Sequence, residues 1–408
     1  MTIPRRFLPN QAHAISRRCA ERRFYLRPSL ESMHLLLYAL GRALTDKKLA
    51  LLAFSVQKDH YHVVVVDLSQ PGEPSDLPRF FGHFNSMAAR GLNHHLGRME
   101  SVWTQGSYFV KELWGPDSLL AQLLYAWIQP VKDGQAASPD EWPGLSFKDP
   151  NTKALVQFLP EGFGTTLEVS KPDFACYGGR RSPHRPPTDE LAKRRWQAIR
   201  DQEEDRFRAL FAAGLRHEAK QKAGKRRRGK KKVKPLTEAR QQELLELRMQ
   251  RWRAKHRPVY KARRSRSQLP ERVEIQIAVP PGYEHLSLQE VRQEFRRLLD
   301  DHVQATKAKQ AEQGLPPFRG DARAKVESTD PFAAAGPCWP NPKDRIRLDT
   351  RGLTEDETDE VYDAWWAFRR EYQASRISRL VGRPGVTFPL GTYDLLANHG
   401  VQIAGAPP

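Results

Sequence analysis

The chain has 408 residues, with 67 Lys and Arg against 48 Asp and Glu, for a formal net charge of +19. That length accommodates two or three domains, each with its own core. The positive excess points to a polyanionic partner, nucleic acid foremost, or to a basic linker on an otherwise neutral fold. Cys19, Cys176 and Cys338 are widely spaced and form no Cys-x-x-Cys pattern, which argues against a disulfide scaffold or a cysteine zinc site. The longest apolar runs, LALLAFSV and HVVVV, fall far short of a membrane span, and MTIPRRFLPN has no apolar signal core. The expectation is a soluble cytoplasmic protein with no membrane partner.

The first 150 residues read as an α+β unit. HAISRRCAERRFYLRP is a basic, strand-like opening, and Leu30, Met33, Leu37, Leu40 and Leu44 then recur at helical spacing. LALLAFSV and YHVVVV read as the second and third strands, the latter interior because of its valine run. Leu77, Phe81, Phe84 and Ala88 mark another helix, and SVWTQGSYFVKEL is extended chain that turns at Gly106. DSLLAQLLYAWIQP is a helix with Asp117 as N-cap and Pro130 as stop. The order β-α-β-β-α-β-α suits a ferredoxin-like antiparallel sheet with helices packed on it.

From about residue 170 the composition changes. GGRRSPHRPP is a linker, and TDELAKRRWQAIRDQEEDRFRALFAAG is a charged helical stretch. In KAGKRRRGKKKVKP nine of the fourteen residues are Lys or Arg, a self-repelling block suited to phosphate contact. A further basic helix follows. RVEIQIAV then alternates as a strand, and Ser287 with Glu290 and Thr354 with Glu357 form two capping-box patterns. The division expected from this texture is 1–150, a basic and largely helical or disordered linker over 151–269, and a small α+β accessory domain over 270–408.

Side chains alternate along a strand, so His60 and His62 share one face and Tyr61 takes the other. Two histidines on one face are a ready pair of metal ligands, although a core or edge histidine is the commoner meaning of each alone. In the helix LLAQLLYAWIQP, Leu120, Leu123, Leu124 and Trp127 cluster on one face. At ~100° per residue Tyr125 and Gln129 lie opposite them, one above the other. With the core stripe already filled, that pair is presented to something else.

In order, the chain carries His60-Tyr61-His62, Trp103-Thr104-Gln105-Gly106, Tyr125 with Gln129-Pro130, and Trp142-Pro143. In this combination, residues 10 to 150 resemble the REP-associated tyrosine transposases and their insertion-sequence relatives, members of the HUH superfamily of single-strand DNA nucleases. Two departures stand out: Tyr61 occupies a usually aliphatic position, and Thr104 separates Trp103 from Gln105. The resemblance implies an HUH nuclease core in which His60, His62 and Gln129 hold Mg²⁺ or Mn²⁺. It implies Tyr125 as the nucleophile that forms a 5′-phosphotyrosine link, and single-stranded or hairpin DNA as partner, in a cytoplasmic, nucleoid-associated setting. It leaves open whether the chain acts alone or as a homodimer.

Arg17, Arg18, Arg22 and Arg23 flank the first strand and are candidate DNA-binding residues, or a solvated edge that discourages sheet aggregation. Lys225, Arg226, Arg227, Arg228, Lys230, Lys231 and Lys232 are candidates for non-specific phosphate contact. His94 and His95, adjacent at a helix end, read as surface residues, and Trp365-Trp366 as helical core. Two other readings stay open: a nucleic-acid-binding protein of the same fold without catalysis, and an unrelated metal hydrolase using His60, His62 and a carboxylate. For the last, Asp59 is expected on the wrong face of the strand.

Overall fold

The computed structural model describes residues 6–98, 100–105, 108–148, 155–172, 189–226, 237–255, 269–335, 348–380, 385–389, 391–392 and 402–403. Its first elements are β1 (Ala12–Arg18), α1 (Leu30–Leu44), β2 (Leu49–Val56), β3 (His60–Asp67), α2 (Leu77–His95), β4 (Phe109–Leu113) and α3 (Pro116–Lys132). Then come β5 (Ser146–Lys148), β6 (Leu155–Gln157), β7 (Thr166–Ser170), α4 (Glu190–Arg226), α5 (Glu238–Lys255), β8 (Arg272–Gln276), α6 (Leu288–Glu312) and α7 (Ala322–Glu327). The last are β9 (Leu348–Asp349), α8 (Glu355–Leu380), β10 (Thr387–Phe388) and β11 (Gln402–Ile403).

The fold is mixed α+β, and its main sheet has the order β2-β3-β1-β4-β9. The pairs β2–β3, β3–β1 and β1–β4 are antiparallel, and β9 joins β4 in parallel. Strand β3 is interior, as its valine run requires: Val63, Val64 and Val65 are fully buried. Helix α1 opens on a capping box in which the Ser29 and Ser32 side chains exchange bonds with each other's backbone N–H. The boxes expected at Ser287–Glu290 and Thr354–Glu357 both form, at the starts of α6 and α8.

Helix α3 departs from its expected ends. Gly115, with φ +82°, is its N-cap, and Asp117 sits in the first turn instead. A Cβ at Gly115 would come within 2.7 Å of the Arg351 carbonyl, and that same carbonyl accepts the Ser118 N–H at 3.1 Å. The helix start is thus satisfied by another segment's backbone, and no side-chain cap is needed. Pro130 lies inside the helix, which continues to Lys132, because the Asp133 N–H still closes on the Gln129 carbonyl at 2.9 Å.

The three-part division read from composition does not follow the compact units. One unit comprises 1–92, 101–174 and 268–408, and the other 93–100 and 175–267. Residues 270–408 are therefore part of the same unit as the sheet. Strand β8 pairs with β7 and packs on α1, where the Tyr38 hydroxyl donates to the Pro270 carbonyl at 2.6 Å. Its continuation meets the outer edge of the sheet through a Leu51–Ile277 bridge, while β9 covers the opposite edge. Both edges that would otherwise expose unpaired backbone are covered. Helix α6 lies against α3, with Phe295 among Trp127, Phe163 and Tyr283 at ring distances of 6.3, 5.2 and 4.9 Å. The second unit is built on α4 and α5, which pack together. The linker over 178–187, Cys176, Cys338, Gly106 and Arg227, Arg228, Lys230, Lys231 and Lys232 lie outside the described residues. Lys225 and Arg226 end α4. Cys19 is buried and carries a thiol, not a disulfide.

Phe295→Ala should cost about 3–5 kcal/mol, the usual range for deleting a buried phenyl group. Because Phe295 belongs to the unit that holds the sheet, hydrogen exchange of the β3 amides should accelerate to match. An independent accessory domain would melt separately and leave β3 exchange unchanged.

Candidate functional site

The site forms where β3 faces α3. Strand β3 is paired along its length on both sides, so its alternation is fixed: His60 stands opposite Arg18, Tyr61 opposite Arg17, and His62 opposite Ser16. His60 and His62 therefore share a face, with ring centroids 4.9 Å apart. Tyr61 points the other way and is fully buried. Its hydroxyl donates to Asn85 Oδ1 at 2.8 Å, and its ring meets Trp103 edge-on at 5.6 Å. Trp103 donates from Nε1 to the Asn85 carbonyl at 2.9 Å, and Arg17 lies over the Trp103 ring at 5.4 Å. Burial pushes the Tyr61 phenol far above its ordinary range, which makes it a packing residue and not a nucleophile.

The inserted Thr104 has its own task. Its N–H and hydroxyl donate to the carbonyls of Arg18 and Cys19 at 3.1 and 2.8 Å, latching the Trp103 segment to the end of β1. Gln105 is exposed beside it. Trp142 is a second clip: fully buried, it donates from Nε1 to the Val56 carbonyl at 2.8 Å at the end of β2.

Asp59 corrects the sequence expectation. It precedes the strand, so alternation does not govern it, and its Oδ1 lies 2.7 Å from His60 Nδ1. Its other oxygen accepts from Arg22 Nε at 2.9 Å. Burial alone would raise the Asp59 pKa, but the bonds to His60 and Arg22 outweigh it and hold the carboxyl below its ordinary value. The ionised Asp59 carboxylate bonds His60 on its Nδ1 side and so fixes the orientation of the ring. For His62, burial first and the neighbouring His60 and Arg18 next push the imidazole well below its ordinary value, so it is neutral. His62 Nε2 is buried without a hydrogen-bond partner.

Helix α3 brings the rest. Tyr125 is 38% exposed, and its ring stands perpendicular to His62 with centroids 5.6 Å apart. Gln129, one turn on, is 4% exposed, and its Nε2 likewise lacks a partner. Lys132, two turns on, places its ammonium 4.9 Å from the Tyr125 ring centroid. The opposite face of α3 is fixed by Trp127 against Phe163 and Phe295. The structure thus brings His60, His62 and Tyr125 together, and Gln129 is buried one helical turn on from Tyr125.

Of the arginines around β1, Arg22 is bonded to Asp59 and Arg23 to Glu21 and the Phe332 carbonyl. Arg17 is stacked on Trp103, which leaves Arg18 on the histidine face of the sheet. His94 and His95 are not surface residues. They are 4% and 2% exposed, and the Asp189 N–H donates to the His95 carbonyl at 3.0 Å. Packing of the segment 93–100 with the start of α4 buries them. Trp365 is core at 3% exposure, but Trp366 is 41% exposed, with Arg369 lying over both rings.

Among the described residues no group of three or more His, Cys, Asp or Glu is arranged to hold a metal. Asp59 is bonded to both His60 and Arg22. Alternation misplaced Asp59 because it was applied one residue beyond the strand. Lys132 escaped notice although its i+7 spacing from Tyr125 puts both on one helical face.

No protein-family model and no curated protein matches the sequence. A solved structure of a REP-associated tyrosine transposase bound to a REP hairpin is similar at 19% identity and a TM-score of 0.30. The match covers 35% of this chain and 81% of that one. Among the described residues no helix is long and apolar enough to cross a membrane.

Tyr61→Phe should destabilise the protein by about 1–3 kcal/mol, the cost of leaving the buried Asn85 oxygen without its donor. Chemical denaturation should register that loss, while the histidine face stays intact.

Proposed function

We propose that the chain is an HUH-type tyrosine nuclease and strand transferase acting on single-stranded or hairpin DNA. One observation carries the reading: His62 lies between His60 and Tyr125, at 4.9 and 5.6 Å, with the phenol partly exposed instead of packed in the core. Residues 63 positions apart in sequence, on a rigid strand and a rigid helix, converge on one solvent-facing spot. The motif order from His60 to Pro143 and the net charge of +19 support the same reading.

The residues present fit a small divalent cation. His60 is held on its Nδ1 side by Asp59, His62 is neutral, and the His62 ring nitrogen and Gln129 amide are buried polar groups with unmet bonding capacity. A carboxamide turned about its terminal bond offers oxygen where nitrogen now stands. His60, His62 and Gln129 would hold Mg²⁺ or Mn²⁺, which when bound supplies Lewis-acid polarisation of the scissile phosphate. Asp59, itself held by Arg22, fixes the His60 ring. Lys132 holds the Tyr125 ring and brings positive charge to where the phosphate must lie.

Tyr125 Oη then bonds to phosphorus as the bond from phosphorus to the 3′ oxygen breaks. The phenolic proton leaves to solvent, and the departing 3′ oxygen takes one up. The products are a 5′-phosphotyrosine and a free 3′-hydroxyl, and reversal on another 3′ end rejoins the strand.

Incubating a labelled single-stranded hairpin oligonucleotide with the protein and Mn²⁺ should give a covalent adduct that survives denaturing electrophoresis. Tyr125→Phe should give none. An adduct that persists in the variant removes Tyr125 from this role, and DNA binding without any adduct favours a binding protein of the same fold. Asp59→Asn should weaken Mn²⁺ binding about 10–100-fold, as loss of a group that orients a metal-binding histidine usually does. Titration calorimetry measures it directly, and unchanged affinity would remove Asp59 from the ligand-orienting role.

A further inference from the structure

Gln57 follows β2 directly and takes no part in the site described above. Its N–H donates to the His60 carbonyl at 2.8 Å, closing the turn of the β2–β3 hairpin, so Gln57 and His60 stand opposite each other. Further into the hairpin, Ser55 is the register partner of His62. Gln57 lies one residue beyond its strand, where alternation no longer decides its direction. A bond does: Gln57 Nε2 donates to Ser55 Oγ at 3.1 Å, which puts the carboxamide on the histidine face. Residues directly opposed in an antiparallel pair keep their Cβ atoms about 4.5–5.5 Å apart.

The face thus carries two rows, Gln57 beside His60 and Ser55 beside His62, with the two imidazole centroids 4.9 Å apart. Gln57 is 1% exposed, and its Oε1 is buried with no hydrogen-bond partner. His62 Nε2, on the same face, is also buried and lacks one. A carboxamide oxygen can only accept, and leaving it unmet inside a protein is costly. Ser55 has taken the amide nitrogen, so the oxygen is the atom turned away from that bond. Gln129 differs: its nitrogen is the unpartnered atom, and its amide has to turn before it offers oxygen. A thioether of the same length would fill the place of Gln57 without burying an unmet acceptor.

We propose that Gln57 Oε1 is an oxygen ligand of the divalent cation assigned above to His60, His62 and Gln129. The inference rests on that cation reading and adds to it a donor from the β2 side of the hairpin. A carboxamide supplies oxygen without a negative charge, which leaves the positive charge of Mg²⁺ or Mn²⁺ undiminished for a phosphate. The unmet oxygen is then a burden on the metal-free fold that binding of the cation relieves.

The test is titration calorimetry of the full chain with Mn²⁺, paired with thermal unfolding in EDTA. Gln57→Met keeps the length of the side chain and replaces its oxygen with a soft sulfur that Mn²⁺ does not favour. It should weaken Mn²⁺ binding roughly 10-fold or more, since loss of a group that merely supports a ligand already costs that much. In EDTA the same variant should unfold no lower than the unaltered chain. A variant that loses stability in EDTA along with Mn²⁺ affinity overturns the proposal in favour of a structural role. If Gln57→Met fails to fold, Gln57→Glu decides alone: tighter Mn²⁺ binding upholds the ligand, and unchanged or weaker binding overturns it. Unchanged Mn²⁺ affinity in Gln57→Met overturns the ligand even while the Tyr125 adduct still forms. Weaker Mn²⁺ binding in that variant, with no adduct from the unaltered chain, keeps the ligand and overturns the nuclease reading. An unaltered chain that binds no Mn²⁺ overturns the proposal outright.

Discussion

Everything at the site depends on the register of β3. The strand is paired on both sides, and a slip of one residue would exchange the face of Tyr61 with that of His60 and His62. The hydrophobic pattern alone does not prevent that slip, because the four valines that follow suit either face. Tyr61 does. Its hydroxyl needs Asn85, its ring needs Trp103, and both partners lie on the face of the sheet away from the histidines. The aromatic residue that departs from the aliphatic pattern is thus the peg that holds the histidines in place.

A second constraint acts on α3. A helix that keeps Tyr125 against His62 must not rotate, and one polar face gives it no reason to stay put. Trp127, on the far side, is buried among Phe163 and Phe295, so a helix contributed by the C-terminal part of the chain sets the orientation of Tyr125 and Gln129. The same part of the chain covers both edges of the sheet. This part of the chain is structural to the site.

What was legible in the sequence was local. The β-α-β-β-α-β-α order, the interior position of the valine strand and the two capping boxes follow from periodicities and spacings of a few residues, and all of them form. Alternation put His60 and His62 on one face of the strand, where they lie together, and the helical repeat put Tyr125 and Gln129 on one face of α3. What escaped was decided by contacts distant in sequence. Arg351 supplies the start of α3, Phe295 abolishes the boundary at residue 270, and burial around Asp189 takes His94 and His95 from the surface. Composition marks where a chain turns basic, but not which apolar faces meet across 150 residues.

The bonds around Asp59 connect these levels. The Ala335 N–H holds the Arg22 carbonyl, the Arg22 guanidinium holds Asp59, and Asp59 holds His60. A segment 275 residues downstream of His60 therefore bears on that imidazole through two side chains and one backbone bond. Arg22 is only partly buried, with its side chain 32% exposed against 7% for Asp59. An exposed pair would be worth little, whereas a carboxylate this enclosed needs its partners to remain ionised. Removing the downstream segment would loosen Arg22, and with it the carboxylate that holds His60 through Nδ1. The orientation of one imidazole is in this way a property of the whole unit and not of the strand that carries it.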